Sequence, residues 1–254
     1  MVLTNVKRDD LVINQGDRAM HTDPLWMKVF LTVHVSAGMV SFILAPVALA
    51  TAKGGTQHRR WGMVYLWSMG VVSCTALPMA LFRPVLFLAL VSVVSAYLAF
   101  SGYRVLKLKD LASGGSARPI DWVAACVALA GSVSLVALGW LRPAAVQHMQ
   151  VVAILLGSLG TRGIIADLWR FVRRPTDKMF WWYSHLTKFI ASYIAAWTAF
   201  STATLSHFFR HAGIILWLWP AAIGVPAIVL TTAYYKRKFA ARKPPTLATG
   251  LAAA

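Results

Sequence analysis

Long runs of apolar residues alternate with short polar joints along most of this chain, without the residue-by-residue alternation of a barrel strand. In hydrocarbon every backbone donor and acceptor must be satisfied within its segment or within a closed barrel, so unbroken apolar runs select helices. A bilayer-spanning helix needs about 20 apolar residues. On that ruler the spans run over 26–50, 61–82, 85–106, 120–141, 144–169, 180–206 and 214–235, an all-α polytopic bundle of about seven transmembrane helices. Breakers fall at the joints: Gly54-Gly55, Arg83-Pro84, Gly114-Gly115, Arg142-Pro143 and Pro175. Pro220, Gly224 and Pro226 break the last span and mark a hinge there.

Three regions follow. Residues 1–25 are a polar extracytoplasmic segment of mixed charge without the positive start, short apolar core and small-residue cleavage site of a signal peptide. Residues 26–235 form the transmembrane domain, and 236–254 a basic, then Pro- and Ala-rich tail expected to be disordered beyond its contact with anionic lipid.

Orientation follows from the basic residues, which resist translocation. Loops one, three and five and the tail hold groups such as Lys53, Arg59 and Arg60, Arg104 to Arg118, and Arg170 to Lys178. The alternate joints hold only Arg83, Arg142 and Arg210. This predicts an outside N-terminus, a cytoplasmic C-terminus and a multi-pass protein of the bacterial inner membrane. Trp26, Trp61, Trp140, Trp169, Trp181 and Trp182 fall at span ends, where an indole keeps its N–H wet.

Composition agrees, with 58% hydrophobic and 13% charged residues. A formal charge of +17 would suggest nucleic acid in a soluble protein, but here the cations sit between apolar runs, so lipid and not nucleic acid is the expected partner. The eight acidic residues are all Asp, which leaves carboxylate-pair chemistry little to draw on. Cys74 and Cys126 lie inside apolar runs and have no redox role.

Ionisable groups at membrane depth are the default functional candidates, and here they are His34, His148, Arg162, Asp167, His185 and Lys188. His34 and His148 share a depth near the outer face, with His207 and His211 nearby; His58 and His185 share one near the inner face. Matched histidines on different helices are what bis-imidazole ligation of haem b requires, with Arg162 and Lys188 as cations for its propionates. The plainer alternative is that each histidine bonds a neighbouring carbonyl or hydroxyl and holds two helices in register. Asp167 and Arg170, one turn apart, form a local ion pair. The stretch from Gly157 to Gly163 lets a neighbouring helix approach closely around a buried Arg162.

His34-Val-Ser-Ala-Gly38, His58-Arg59-Arg60-Trp61-Gly62-Met63-Val64-Tyr65 and Trp181-Trp182-Tyr183-Ser184-His185-Leu186-Thr187-Lys188 carry a resemblance. They resemble signatures of an uncharacterised family of bacterial multi-pass membrane proteins with a His-Arg-x-x-Gly-x-x-Tyr motif, a domain of unknown function. The resemblance implies architecture and no activity. Met63 stands where that pattern usually has arginine, one interfacial cation fewer. The histidine layout is also similar to that of b561-type membrane cytochromes, by helix count and depth alone.

These observations lead to a haem-binding electron-transfer protein as the first expectation. An accessory subunit of a larger membrane complex is the second. An intramembrane zinc hydrolase is a third, although no span carries a His-x-x-x-His pair; His207 and His211 have that spacing in an outer joint.

Overall fold

The computed structural model describes residues 23–83, 85–142, 149–209 and 212–241. Among them all regular structure is helical. The helices are α1 (Leu25–Ala50), α2 (Thr56–Phe82), α3 (Leu86–Arg104), α4 (Pro119–Leu141), α5 (Gln150–Val172), α6 (Phe180–Thr204) and α7 (Ile215–Ala241). Short 3₁₀ turns at Val105–Lys107 and Lys109–Ser113 follow α3, and another at Leu205–His207 follows α6. Each expected span meets one of these helices. The polar segment before Asp23, the start of the fifth span, His148, His211 and the tail beyond Ala241 lie outside the described residues.

Among the described residues six helices are long and apolar enough to cross a bilayer, the mark of a multi-pass membrane protein. The exception is α6, which has the length but not the hydropathy, because Ser184, His185, Thr187, Lys188 and Ser192 interrupt its apolar surface. The expected break in the last span is absent, and α7 runs as one helix through Pro220 and Pro226. A proline costs a helix one N–H and crowds one carbonyl, and membrane helices keep going past that local loss. Pro46 and Pro78 sit inside α1 and α2 in the same way.

The chain divides into two compact units, up to Ser92 and from Val93. The first is built on the α1/α2 hairpin, fastened at three levels. Asp23, just before α1, pairs with Arg83, just after α2, at 2.5 Å. Beside them Trp26 packs edge-on against Phe82 with ring centroids 4.8 Å apart. His34 fastens the middle and His58 the opposite end.

The second unit is organised by a seam between α4 and α5. Along α4 the buried positions include Asp121, Ala125, Ala128, Ser132, Leu135 and Gly139; along α5 they include Ala153, Gly157, Ile164 and Asp167. Steps of four and three keep each set on one helix face. With lipid outside there is little hydrophobic force between helices, so close packing of small residues has to hold them. A Cβ on Gly157 would lie 2.7 Å from the Ser132 carbonyl oxygen, and one on Gly160 would lie 2.5 Å from the Ser132 hydroxyl. The stripe ends on a carboxylate in both helices, Asp121 at the start of α4 and Asp167 near the end of α5.

Candidate functional site

Both buried carboxylates lie at one end of the second unit, where α3 and α5 finish and α4 and α6 begin. Pro119 opens α4, and Asp121 stands two residues further on, where its Oδ2 accepts the Arg118 backbone N–H at 3.0 Å. A carboxylate there satisfies one orphan donor and faces the positive end of the helix dipole. Arg104, the last residue of α3, closes on the same carboxylate with two parallel bonds, Nε to Oδ1 at 2.7 Å and Nη2 to Oδ2 at 2.8 Å. Asp121 is 2% exposed and Arg104 12%, so the fork is shielded from solvent.

Asp167 gathers three donors. Its Oδ2 accepts the Tyr97 hydroxyl at 2.7 Å and the Lys188 ammonium at 2.7 Å, while Oδ1 accepts Arg170 at 2.9 Å. Asp167 is 5% exposed and Lys188 12%. Tyr97 comes from the α3 face that packs with Ala125, Ala128 and Ile164, and its ring lies 5.7 Å from the Lys188 nitrogen. Four helices therefore converge on two carboxylates and three cations.

These groups line a cavity of about 20 Å³, room for one water, together with Ser101 and the apolar wall of Val105, Leu111 and Phe180. The wall comes from the 3₁₀ turns after α3, which pack on Phe180 at the start of α6. Gly114 ends the second turn at φ 112°, a left-handed conformation that glycine adopts without strain.

Three of the four described histidines, His34, His58 and His185, use Nδ1–H toward a backbone carbonyl. His34 on α1 donates to Val72 of α2 at 3.1 Å, beside the Thr75 hydroxyl at 3.0 Å. His58 on α2 donates to Ala48 at 2.9 Å, and His185 on α6 to Gly102 at 2.9 Å. Ala48 and Gly102 fall in the last turns of α1 and α3, where carbonyls lack a partner in their own helix. The same capping device thus appears once in each unit, and a histidine is well suited to the negative end of a helix. His58 belongs to the first unit and His185 to the second; His148, the expected partner of His34, lies outside the described residues. Among the described residues no three His, Cys, Asp or Glu side chains gather as a metal site would require.

Two readings of the sequence change. Asp167 does pair with Arg170 as its spacing indicated, but it also takes Lys188 and Tyr97, which lie on other helices and were invisible to local spacing. Arg162, expected inside the bundle among small residues, faces outward. The seam uses Gly157, Gly160 and Ile164, and Arg162, two residues from both Gly160 and Ile164, falls about 200° round the helix on the opposite surface. Cys74 and Cys126 are free thiols exposed on outer helix faces.

Compared with family models, curated proteins and solved structures, the chain matches none.

Proposed function

We propose that the chain is a bacterial inner-membrane protein of about seven spans, N-terminus outside and C-terminus cytoplasmic, whose second unit handles protons at the Lys188–Asp167 pair. One observation carries this reading. A single carboxylate oxygen, Asp167 Oδ2, takes both the Lys188 ammonium and the Tyr97 hydroxyl at 2.7 Å, beside a cavity with room for a water. Ionisable groups at membrane depth are costly, and where they occur in facing sets they serve as proton relays and ion pathways.

The chemistry is the movement of one proton. Lys188 Nζ gives H⁺ to Asp167 Oδ2, an N–H bond breaking as an O–H bond forms, and an ion pair becomes an amine and a carboxylic acid. Desolvation costs charged groups far more than neutral ones, so burial brings the two forms closer in energy than they are in water. Water in the cavity takes the proton from the acid or returns it. Arg104 and Asp121, locked by two bonds, keep a fixed field beside the exchanging pair.

The test is potential-driven proton flux into vesicles holding the purified protein, a potassium gradient, valinomycin and an internal pH dye. The expected result is acidification faster than in protein-free vesicles, falling to the protein-free rate in Asp167→Asn. A wild-type rate no faster than protein-free vesicles removes the reading.

A second reading, haem b held by His58 with His185 or by His34 with His148 for electron transfer, draws support from the Nδ1–H bonds of His34, His58 and His185. Ligating imidazoles are oriented by a bond of that kind. Sharp, redox-sensitive Soret and α bands in the purified protein would establish it; a protein that stays colourless after haem supplementation would dismiss it.

A further inference from the structure

Arg162 stands near the midpoint of the 23-residue α5 and is exposed, on the face opposite the α4 seam. At 1.5 Å per residue its Cα lies about 10 Å along the axis from Trp169, where the span is expected to meet the headgroup layer. Its surroundings on that face are mostly apolar: Leu155, Leu159, Ile165 and Trp169 are exposed there, with the Ser158 hydroxyl one turn before it. Next to it Gly163 has nothing within 4 Å of where a Cβ would be, so the backbone itself is open to an approaching helix.

A guanidinium at this depth is costly unless it meets an anion, and the carboxylates on the described spans are already paired. Asp121 is held by Arg104, Asp167 by Arg170 and Lys188, and Asp23 by Arg83. Asp110 and Asp177 lie in the segments between helices, and Asp9, Asp10 and Asp17 precede the first span. The spans of the first unit hold no acidic residue. A lipid phosphate is the other anion in reach of a membrane protein, but an arginine side chain extends roughly 7 Å from its Cα. That leaves a gap of a few ångströms to the headgroup layer, so a lipid phosphate is the competing partner that the test separates.

We propose that the outward face of α5 receives a transmembrane helix of another membrane protein, one that carries an Asp or Glu near its own midpoint and pairs it with Arg162. Gly163 lets that helix come close, and the planar guanidinium offers the carboxylate two parallel bonds. This inference is independent of the proton chemistry, since Arg162 lies outside the cavity and its lining.

The experiment uses the full-length protein in phosphatidylcholine vesicles with a fluorescent synthetic transmembrane peptide of Leu and Ala bearing one central Glu, and its all-apolar counterpart. Energy transfer from the peptide to an acceptor on the protein reads association. The Glu peptide is expected to associate roughly ten-fold more tightly than the apolar one, the scale of interhelical polar contacts in membranes. Arg162→Leu should abolish that preference and Arg162→Lys retain part of it. Gly163→Leu keeps the charge, blocks close approach and should weaken the Glu peptide as well. Equal association of the two peptides with the wild-type protein, the result expected if lipid phosphate satisfies the arginine, overturns the proposal. So does a preference that survives in Arg162→Leu.

Discussion

Gly102 and His185 meet where α3 runs out of partners for its carbonyls: the imidazole Nδ1–H donates to the Gly102 oxygen at 2.9 Å. A larger residue is crowded there, since a Cβ would lie 2.8 Å from the Phe189 ring and 3.2 Å from Lys188 Cβ. The contact sets the register of α6 on α3, and Lys188 stands one turn beyond His185, facing Asp167. His185 is thus a positioning residue for the ion pair. His185→Ala should cost about 1 kcal/mol of stability, the scale of one hydrogen bond. It should also slow proton flux, whereas His185→Gln, which keeps an N–H donor, should recover part of both. Unfolding in detergent and the vesicle assay measure the two effects, and a flux unchanged by His185→Ala would deny the positioning role.

The Arg104–Asp121 fork gives a different expectation. Removing one partner of a shielded pair strands the other, at a cost of roughly 3 kcal/mol or more. Asp121→Asn should therefore destabilise strongly, because it also weakens the acceptor for the Arg118 N–H at the start of α4. Arg104→Lys keeps the charge but loses the second bond, so it should fall between wild type and Asp121→Asn. Unfolding midpoints of the three proteins in one detergent supply the ranking.

Asp167 and Lys188 should not respond symmetrically. Lys188→Met leaves Asp167 with Arg170 and Tyr97 still bonded, while Asp167→Asn leaves Lys188 as a buried cation without its carboxylate. The second change should cost more, by about 1–2 kcal/mol, the added burden of an uncompensated charge. Because the two residues touch, the double variant Asp167→Asn, Lys188→Met should be more stable than the sum of the single effects allows. A strictly additive cycle would indicate that the pair carries no coupling.

Two glycines on α5 separate packing from propensity. Gly157→Ala pushes a methyl against the Ser132 carbonyl and the Val136 backbone nitrogen, 2.7 Å and 2.9 Å away, and backbone atoms yield poorly. It should cost about 1–3 kcal/mol, as overpacking does. Gly163→Ala meets nothing within 4 Å and gains helix propensity, so it should be neutral or stabilising by up to about 1 kcal/mol. Thermal unfolding of the two single variants, run side by side, checks the contrast.

The helices were legible because each is a run of apolar residues about as long as a bilayer is thick, a signal carried by every residue in the run. Even the seam left a trace in the small residues from Gly157 to Gly163. What that stretch does not reveal is direction. Gly157 and Gly160 face α4 while Arg162 and Gly163 face away, and composition alone placed all of them inside. The ion network was harder still. Arg170 is three residues from Asp167 and could be paired with it by spacing, but Tyr97 is 70 residues away along the chain and reaches it only through the packing of α3. Lys188 was singled out for its depth, yet its partner was fixed by the register of α6 on α3, and neither helix alone encodes that. Histidines carry the same ambiguity, since a capping imidazole and a ligating one look identical in sequence.

The polarity of α6 makes the membrane topology itself a test. Six helices are apolar enough to cross by themselves, and six crossings would leave both termini on the same side. A seventh crossing by α6 puts them on opposite sides. The contacts of α6 would let it cross despite its hydropathy: Lys188 pairs with Asp167, His185 bonds the Gly102 carbonyl, and the buried Ser184 and Ser192 turn inward with them. Its polar groups are spent on neighbouring helices instead of lipid, which is how membrane bundles accommodate such segments. Reporter fusions at each end, one active only outside and one only in the cytoplasm, should place the N-terminus outside and the C-terminus inside. Asp167→Asn removes the Lys188 partner and should increase the fraction of chains with a misplaced C-terminus. Both termini on one side in the wild-type protein would instead leave α6 out of the count of crossing helices.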